Sequence, residues 1–339
     1  MNEVDSSRIV SFFDSLGYDQ TSTWQEADLL LLNSCSVRQA SEDKVYGWAN
    51  KVRVLRKTKP HLRVILAGCL VGSATGERQR IDLASLKQRT PWVDEYWPPG
   101  KVGFDTPAQK PLSGPALIPI SSGCNHFCSY CVVPFAREAE KSRPGEEIMC
   151  EVKSLVARGV SEVTLLGQNV NTYGKDLCPN CVGNPFVDLL GKLHDIKGLK
   201  KISFMTSHPK DMSEALIKAL SWPKVEKYLH LPAQSGDDEI LSKMNRGYTA
   251  AHYLDLVGKI RRQVPEIRLG TDVIVGFPTE TEAQFQNTVK LFEKIKFDVA
   301  FVLIYSPREG TAAAKMEDSV PLAEKKRRHA VLTKLLKEQ

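Results

Sequence analysis

The sequence predicts an α/β protein: a doubly wound parallel-sheet domain in front and a partial (βα)6 barrel behind it. Three observations carry this. Apolar runs of strand length alternate with helical-period stretches along almost the whole chain. A Pro-rich stretch, Pro91 to Pro119, carries seven prolines and interrupts the alternation once. Behind it the alternation resumes six times in series, as a parallel barrel left open would require.

The first unit, residues 1–98, opens on a helix. Ile9, Phe12, Phe13 and Leu16 recur at helical spacing from Arg8 to Leu16, and Gly17 ends the run. Leu29–Leu32 is a continuous apolar strand leading to Cys35. A helical stretch from Glu42 to Leu55 precedes the strand Arg63–Gly68, which leads to Cys69. Two strands one βα unit apart thus each end in a cysteine, at the sheet edge where such folds bind ligands. Sheets of this kind normally begin on a strand, so an opening strand is expected and missing.

A linker at 99–114 leads to the barrel, residues 115–339. Its predicted strands are Ala116–Ile120, Glu162–Leu166, Lys201–Thr206, Tyr228–Leu231, Arg268–Val275 and Asp298–Tyr305. Helical patterns lie between them, at Glu146–Ala157, Glu239–Met244, Tyr253–Arg262 and Glu280–Ile295, and Lys325–Lys337 is a basic amphipathic last helix. The site of such a barrel lies at the C-terminal ends of its strands.

The formal charge of +6 permits a polyanionic partner without requiring one. No run approaches the roughly 18 apolar residues of a spanning helix, and the start MNEVDSSRIV lacks a signal-peptide core. A cytoplasmic protein with no membrane partner is expected. There, eight cysteines are expected to serve metal binding or catalysis rather than disulfides.

The chemistry is concentrated in Gly123-Cys124-Asn125-His126-Phe127-Cys128-Ser129-Tyr130-Cys131, a CxxxCxxC loop directly after the first barrel strand. Three thiolates on so short a loop converge on one centre, and soft sulfur ligands suit iron–sulfur clusters. Three ligands for four irons leave one iron open to a chelating small molecule. A zinc knuckle is the competing reading. It needs a fourth ligand, and His126 lies awkwardly inside the same tight loop. Loop position and six βα units favour a radical S-adenosylmethionine (AdoMet) centre.

The segments SSGCNHFCSYCVVPFAR, KSRP, EVTLLGQNVNTYG, TSHP, HLPAQSGDDEILSKMNRGYT, TDVIVGFPTET and YSPREGT resemble the tRNA methylthiotransferases of the radical-AdoMet superfamily, from Met1 to about Arg328. LGQNVN, TSHP and HLPAQSG are closest to the type that adds a methylthio group to C2 of isopentenylated adenosine beside the tRNA anticodon. MNRGYT is shared with the type acting on threonylcarbamoyl-adenosine, which is the alternative substrate. A non-catalytic homologue binding clusters or RNA is the alternative of another class.

The resemblance implies a 4Fe–4S cluster on Cys124, Cys128 and Cys131 whose open iron takes AdoMet. AdoMet is then both the source of a 5′-deoxyadenosyl radical and the methyl donor. It further implies an auxiliary 4Fe–4S cluster that delivers sulfur, with Cys35 and Cys69 matching two of its three cysteine ligands. The third stands in a GCQMN motif on an opening strand, and this chain begins Met1-Asn2. The expectation is a chain cut at both ends, with that cysteine before Met1 and an RNA-binding β-barrel module after Gln339 both absent. The second cluster would be compromised, sulfur insertion poor and tRNA binding weak. The implied partners are the tRNA anticodon loop, an external electron donor and a sulfur donor, acting on a monomer.

Further candidates stand at predicted strand ends. Gln168 and Asn169 end the second barrel strand, where the methionine amino group of AdoMet is expected. Ser207, Gln234 and Ser235 are candidate contacts for AdoMet or the adenosine, and Arg246 and Arg143 for a carboxylate or phosphate. His208 is either a substrate contact or structural, His230 a satisfied core histidine, and Cys150 a core residue. Cys178 and Cys181 form Cys-Pro-Asn-Cys, read as free thiols in a turn or half a metal site. Glu138, where the family usually has glycine, and Ala233, for a common valine, depart from its pattern without touching a ligand position.

Overall fold

The structure, a computed structural model, describes residues 1–37, 39–103, 114–178 and 183–338. Strands β1 (Leu29–Ser34), β2 (Arg63–Gly68) and β3 (Glu95–Trp97) form a parallel sheet in that order. Around it stand helices α1 (Asn2–Ser15), α2 (Gln39–Tyr46), α3 (Ala49–Thr58), α4 (Cys69–Thr75) and α5 (Leu83–Arg89). Central β2 is buried from Val64 onwards, as its unbroken apolar run requires of a parallel strand covered on both faces.

Three details differ from expectation. Helix α1 starts at Asn2 rather than Arg8, because a polar first turn carrying Glu3 and Asp5 suits the positive end of a helix without any apolar spacing. The expected single helix from Glu42 to Leu55 is two, with Gly47 between them. The proline-rich stretch contributes β3, whose three residues are too few for a period to show. Most of the 99–114 linker lies outside the described residues.

The second unit follows the predicted alternation. Strands β4 (Ala116–Pro119), β5 (Glu162–Leu166) and β6 (Lys201–Phe204) form one parallel set, and β7 (Tyr228–His230), β8 (Arg268–Val275) and β9 (Val299–Ile304) a second. The sets meet at an isolated parallel bridge, Ile202 to Val225. Helices α6 (Gly145–Ala157), α7 (Pro185–His194), α8 (Glu214–Ala219), α9 (Asp238–Lys243), α10 (Ala250–Gln263), α11 (Glu282–Ile295) and α12 (Leu322–Lys337) complete it. The main apolar core fills the space between these strands and helices. Helix α6 buries Ile148, Val152 and Leu155, one helical face, and Cys150 falls off it. That thiol is exposed, not core.

The two units keep separate apolar cores and meet through charged side chains. Arg137 donates to Asp5 of α1, and Arg8 of α1 faces Glu151 of α6 at 3.6 Å. Helix α4 lies so close to residues 133–136 that a side chain at Gly72 would meet the Ala136 carbonyl. No helix among the described residues is long and apolar enough to cross a membrane.

Candidate active site

The CxxxCxxC loop springs from the end of β4 and is bracketed by a short antiparallel pairing of Ser121–Ser122 with Lys141–Ser142. Gly123 opens it at φ +86°, a conformation that favours glycine, and a Cβ there would strike the Ala139 carbonyl. Main-chain bonds fold the loop: Cys124 N–H donates to Glu138 O at 3.1 Å and Cys131 N–H to Cys128 O at 2.9 Å. The barrel holds it from two sides. Gln168 Oε1 accepts from Gly123 N–H at 2.6 Å, and Met244 O from Ser129 N–H at 3.0 Å.

Cys124 and Cys128 are buried and Cys131 half-buried. Burial, with the neighbouring thiols, pushes Cys124 up to about 11 and Cys131 to about 12. Each sulfur is met by a donor: His126 N–H at 3.4 Å from Cys124 Sγ, Arg246 Nη1 at 3.3 Å from Cys128 Sγ and Val133 N–H at 3.4 Å from Cys131 Sγ. Burial lowers the pKa of Arg246, yet the facing Tyr130, Tyr248 and Cys128 raise it by more, so a cation is fixed beside the sulfurs. This donor set fits a thiolate-bound, electron-rich centre: three converging soft ligands, each hydrogen-bonded.

Around the loop and at the strand ends, several buried polar atoms have no hydrogen-bond partner. They include Ser121 Oγ, Asn169 Oδ1, Ser207 Oγ, His208 Nε2 and Gln234 Oε1. Buried polar groups are normally satisfied, so such a cluster fits a polar small molecule. Of the strand-end candidates, Asn169, Ser207 and Gln234 belong to it. Gln168 is engaged with the loop, Ser235 with Thr288 and Asp237 N–H, and Arg246 with Cys128, Pro232 O and Tyr248. Arg143 is tied to Pro119 O and Glu151, so its donors serve the fold rather than a ligand.

His208 is buried, its ring stacked on His126 at 4.1 Å. His126 Nε2–H donates to Asp211 Oδ2 at 2.6 Å, and Asn169 donates to the same oxygen at 2.7 Å. These bonds hold the Asp211 carboxyl below its ordinary range against the opposing effect of burial. The stack fastens the cysteine loop to the end of β6. His230 is buried between Tyr228 and Asp272, satisfied as expected.

In the first unit, Ser34 of β1 pairs with Gly68 of β2, so Cys35 and Cys69 follow side by side. Cys69 is buried, and burial raises its thiol while Arg137, which hydrogen-bonds the sulfur, lowers it. Just beyond Cys35 stands a buried ionic junction. Glu42 accepts from Ser36 Oγ, from Arg80 Nη2 at 3.0 Å and from Arg308 Nη2. Arg308 also donates to Ser36 O at 2.7 Å and Gln39 Oε1 at 2.6 Å. Arg308 belongs to the segment after β9, and Ala313 N–H of that segment donates to Ser129 O in the cysteine loop at 2.8 Å. One strut therefore touches both cysteine sites. Sequence reasoning missed it, since one Glu in an amphipathic helix and one Arg in a loop read as surface charges.

Between the two sites lies a cavity of about 580 Å³. Tyr130, Cys131 and Val132 line it on one side, Val37, Gln39 and Ala40 on another, and β8 and β9 form its floor. Cys178 is disulfide-bonded, against the expectation of free thiols or half a metal site. Cys181 lies outside the described residues.

Comparison with known proteins adds to this geometry. Residues 118–292 match the Radical SAM superfamily, and residues 1–88 match a family described as Uncharacterized protein family UPF0004. The tRNA-2-methylthio-N(6)-dimethylallyladenosine synthase of Dehalococcoides mccartyi strain CBDB1 is 46% identical over 349 residues, covering 100% of this chain and 80% of the relative. That of Moorella thermoacetica is 42% identical over 350 residues, covering 97% and 78%. Among solved structures, the radical S-adenosylmethionine methyltransferase TsrM from Kitasatospora setae superposes with a TM-score of 0.63. It is 14% identical, with 92% of this chain and 73% of that one covered, a likeness of fold alone.

Proposed function

We infer how this protein works from the premise that the chain belongs to the family of tRNA-2-methylthio-N(6)-dimethylallyladenosine synthases, within the radical SAM superfamily. It is an enzyme that adds a methylthio group to C2 of isopentenylated adenosine beside the tRNA anticodon, using a 4Fe–4S cluster and AdoMet. Cys124, Cys128 and Cys131 hold that cluster. When bound, the cluster and AdoMet supply a carbon-centred radical and a methyl group.

The residues of this chain position and shield. Asn169, Ser207 and Gln234 offer their orphaned oxygens to AdoMet, and Gln168 sets the loop at the height of the β5 end. Arg246 holds positive charge against the sulfurs. Cys35 and Cys69 carry an auxiliary sulfur-delivering cluster. The pairing of Ser34 with Gly68 brings these two thiols to one end of the sheet, where they supply two of its ligands. The adenosine leaves the anticodon stack to enter the cavity between the sites. The protein works in the cytoplasm, as a monomer, with separate electron and sulfur donors.

One observation carries this reading: the cavity is walled by Cys131 on one side and by the residues just after Cys35 on another, so a base inside it lies within reach of both. Mass spectrometry of tRNA nucleosides from a deletion strain tests it. The methylthio derivative of isopentenylated adenosine should vanish and return on complementation. Loss instead of the threonylcarbamoyl derivative would refute the substrate assignment.

A further inference from the structure

The floor of the cavity has a chemistry of its own. Strand β9 shows one face to solvent: Val299, Phe301 and Leu303 are 37%, 53% and 40% exposed, while the residues between them are partly buried. Alternate strand residues share a face. The register sets Phe301 beside Asp272 and Leu303 beside Ile274 of β8, and all four line the cavity. Across from them stands Val37, 55% exposed. Large apolar side chains gathered in a concavity, rather than scattered singly, mark a binding surface.

The charges sharpen the identity of the occupant. Among the described residues lining the cavity, the cation is Arg308 and the anion is Asp272. Arg308 is already committed to Glu42, Ser36 O and Gln39. Asp272 Oδ1 lies 3.1 Å from His230 Nε2, and His230 Nδ1 lies 3.2 Å from Tyr228 Oη. These contacts hold the Asp272 side chain in place at the edge of the floor. The floor is thus apolar apart from the Asp272 carboxylate, and the cation of the lining, Arg308, is engaged elsewhere. It suits a branched hydrocarbon chain and repels a carboxylate.

We propose that Phe301 and Leu303, with Asp272 beside them, form the seat for the N6 substituent of the target adenosine, admitting the dimethylallyl chain and rejecting a carboxylate-bearing one. This rests on the substrate reading above and adds the residues that enforce it. An apolar seat of this kind distinguishes its ligand from one lacking the chain by on the order of 10- to 200-fold.

The test is a binding titration of the reconstituted full chain with three anticodon stem-loop RNAs. These differ only at N6 of one adenosine: dimethylallyl, unmodified, or threonylcarbamoyl. The wild-type protein should prefer the dimethylallyl RNA over both. Phe301→Ala and Leu303→Ala should each cut the dimethylallyl-to-unmodified ratio about tenfold, and Phe301→Leu, which keeps the wall apolar, should restore most of it. Asp272→Asn should narrow the gap between the dimethylallyl and threonylcarbamoyl RNAs. A fall in all affinities together, with the ratios unchanged, would overturn the inference and leave the substrate reading standing. A wild-type protein without preference would overturn both.

Discussion

The two cysteine sites differ in how the chain builds them. In the barrel loop, three sulfurs lie within eight consecutive residues, between two hydrogen-bonded strand pieces, and each meets a donor from the loop or from Arg246. In the first unit, Cys35 and Cys69 are far apart in sequence and neighbours only because β1 and β2 pair in register. The first arrangement depends on local backbone geometry, the second on a folded sheet. A centre held locally tolerates disturbance elsewhere; one held by sheet register does not.

The largest effects follow from removing ligands. Cys131→Ala should reduce AdoMet cleavage by at least about 100-fold, as losing an essential group of a catalytic unit does, read as 5′-deoxyadenosine by chromatography. Cys35→Ala should lower methylthio transfer far more than it lowers AdoMet cleavage. Equal losses from both substitutions would erase the distinction between the sites. Exposure of anaerobically reconstituted protein to an iron chelator should release iron in two phases, the faster assigned to the site held by sheet register. Its spectroscopic signature should already be gone when the barrel-loop cluster is intact.

The ionic junction tests how firmly the sites are held to one another. Glu42, Arg80 and Arg308 all have side chains under a tenth exposed. Glu42→Ala leaves two guanidinium groups buried without their carboxylate, which costs about 3–5 kcal/mol by denaturant unfolding. Glu42→Gln keeps part of the hydrogen bonding and should cost less. In either variant, 5′-deoxyadenosine formed per methylthio product should rise, because the strut that touches Ser36 beside Cys35 and Ser129 beside Cys128 is loosened. An unchanged ratio would reduce the junction to a structural pair.

The same contrast explains what the sequence disclosed. The barrel site was legible because its cysteines are adjacent and its strands are unbroken apolar runs; β5 and β8 match the predicted ranges residue for residue. The Cys35–Cys69 pairing was legible only as two strand ends. What escaped is the long-range polar structure. No spacing joins Glu42 to Arg308, or Arg137 to Cys69, and a buried charge has the same letter as an exposed one. Cys150 shows the converse error: apolar neighbours in sequence suggested burial, but Ile148, Val152 and Leu155 define a face that excludes it. Strand β3 was lost inside a proline-rich segment because three residues carry no period.

The smallest predicted effect concerns a cation that touches a sulfur of the barrel loop. Arg246 is 5% exposed and donates to Cys128 Sγ, while its other nitrogens are fixed by Tyr248 Oη and Pro232 O. A cluster gains negative charge on reduction, so a cation held in a low-dielectric setting favours the reduced form. Arg246→Gln keeps a donor but removes the charge. The midpoint potential of the barrel-loop cluster should therefore fall, on the order of 60 mV if the charge contributes about 1.4 kcal/mol to a one-electron couple. An EPR-monitored redox titration reads this directly, and the auxiliary cluster in the same sample serves as the internal control. A potential that stays fixed, or an equal shift in both clusters, would show that Arg246 braces the loop without tuning the centre it holds.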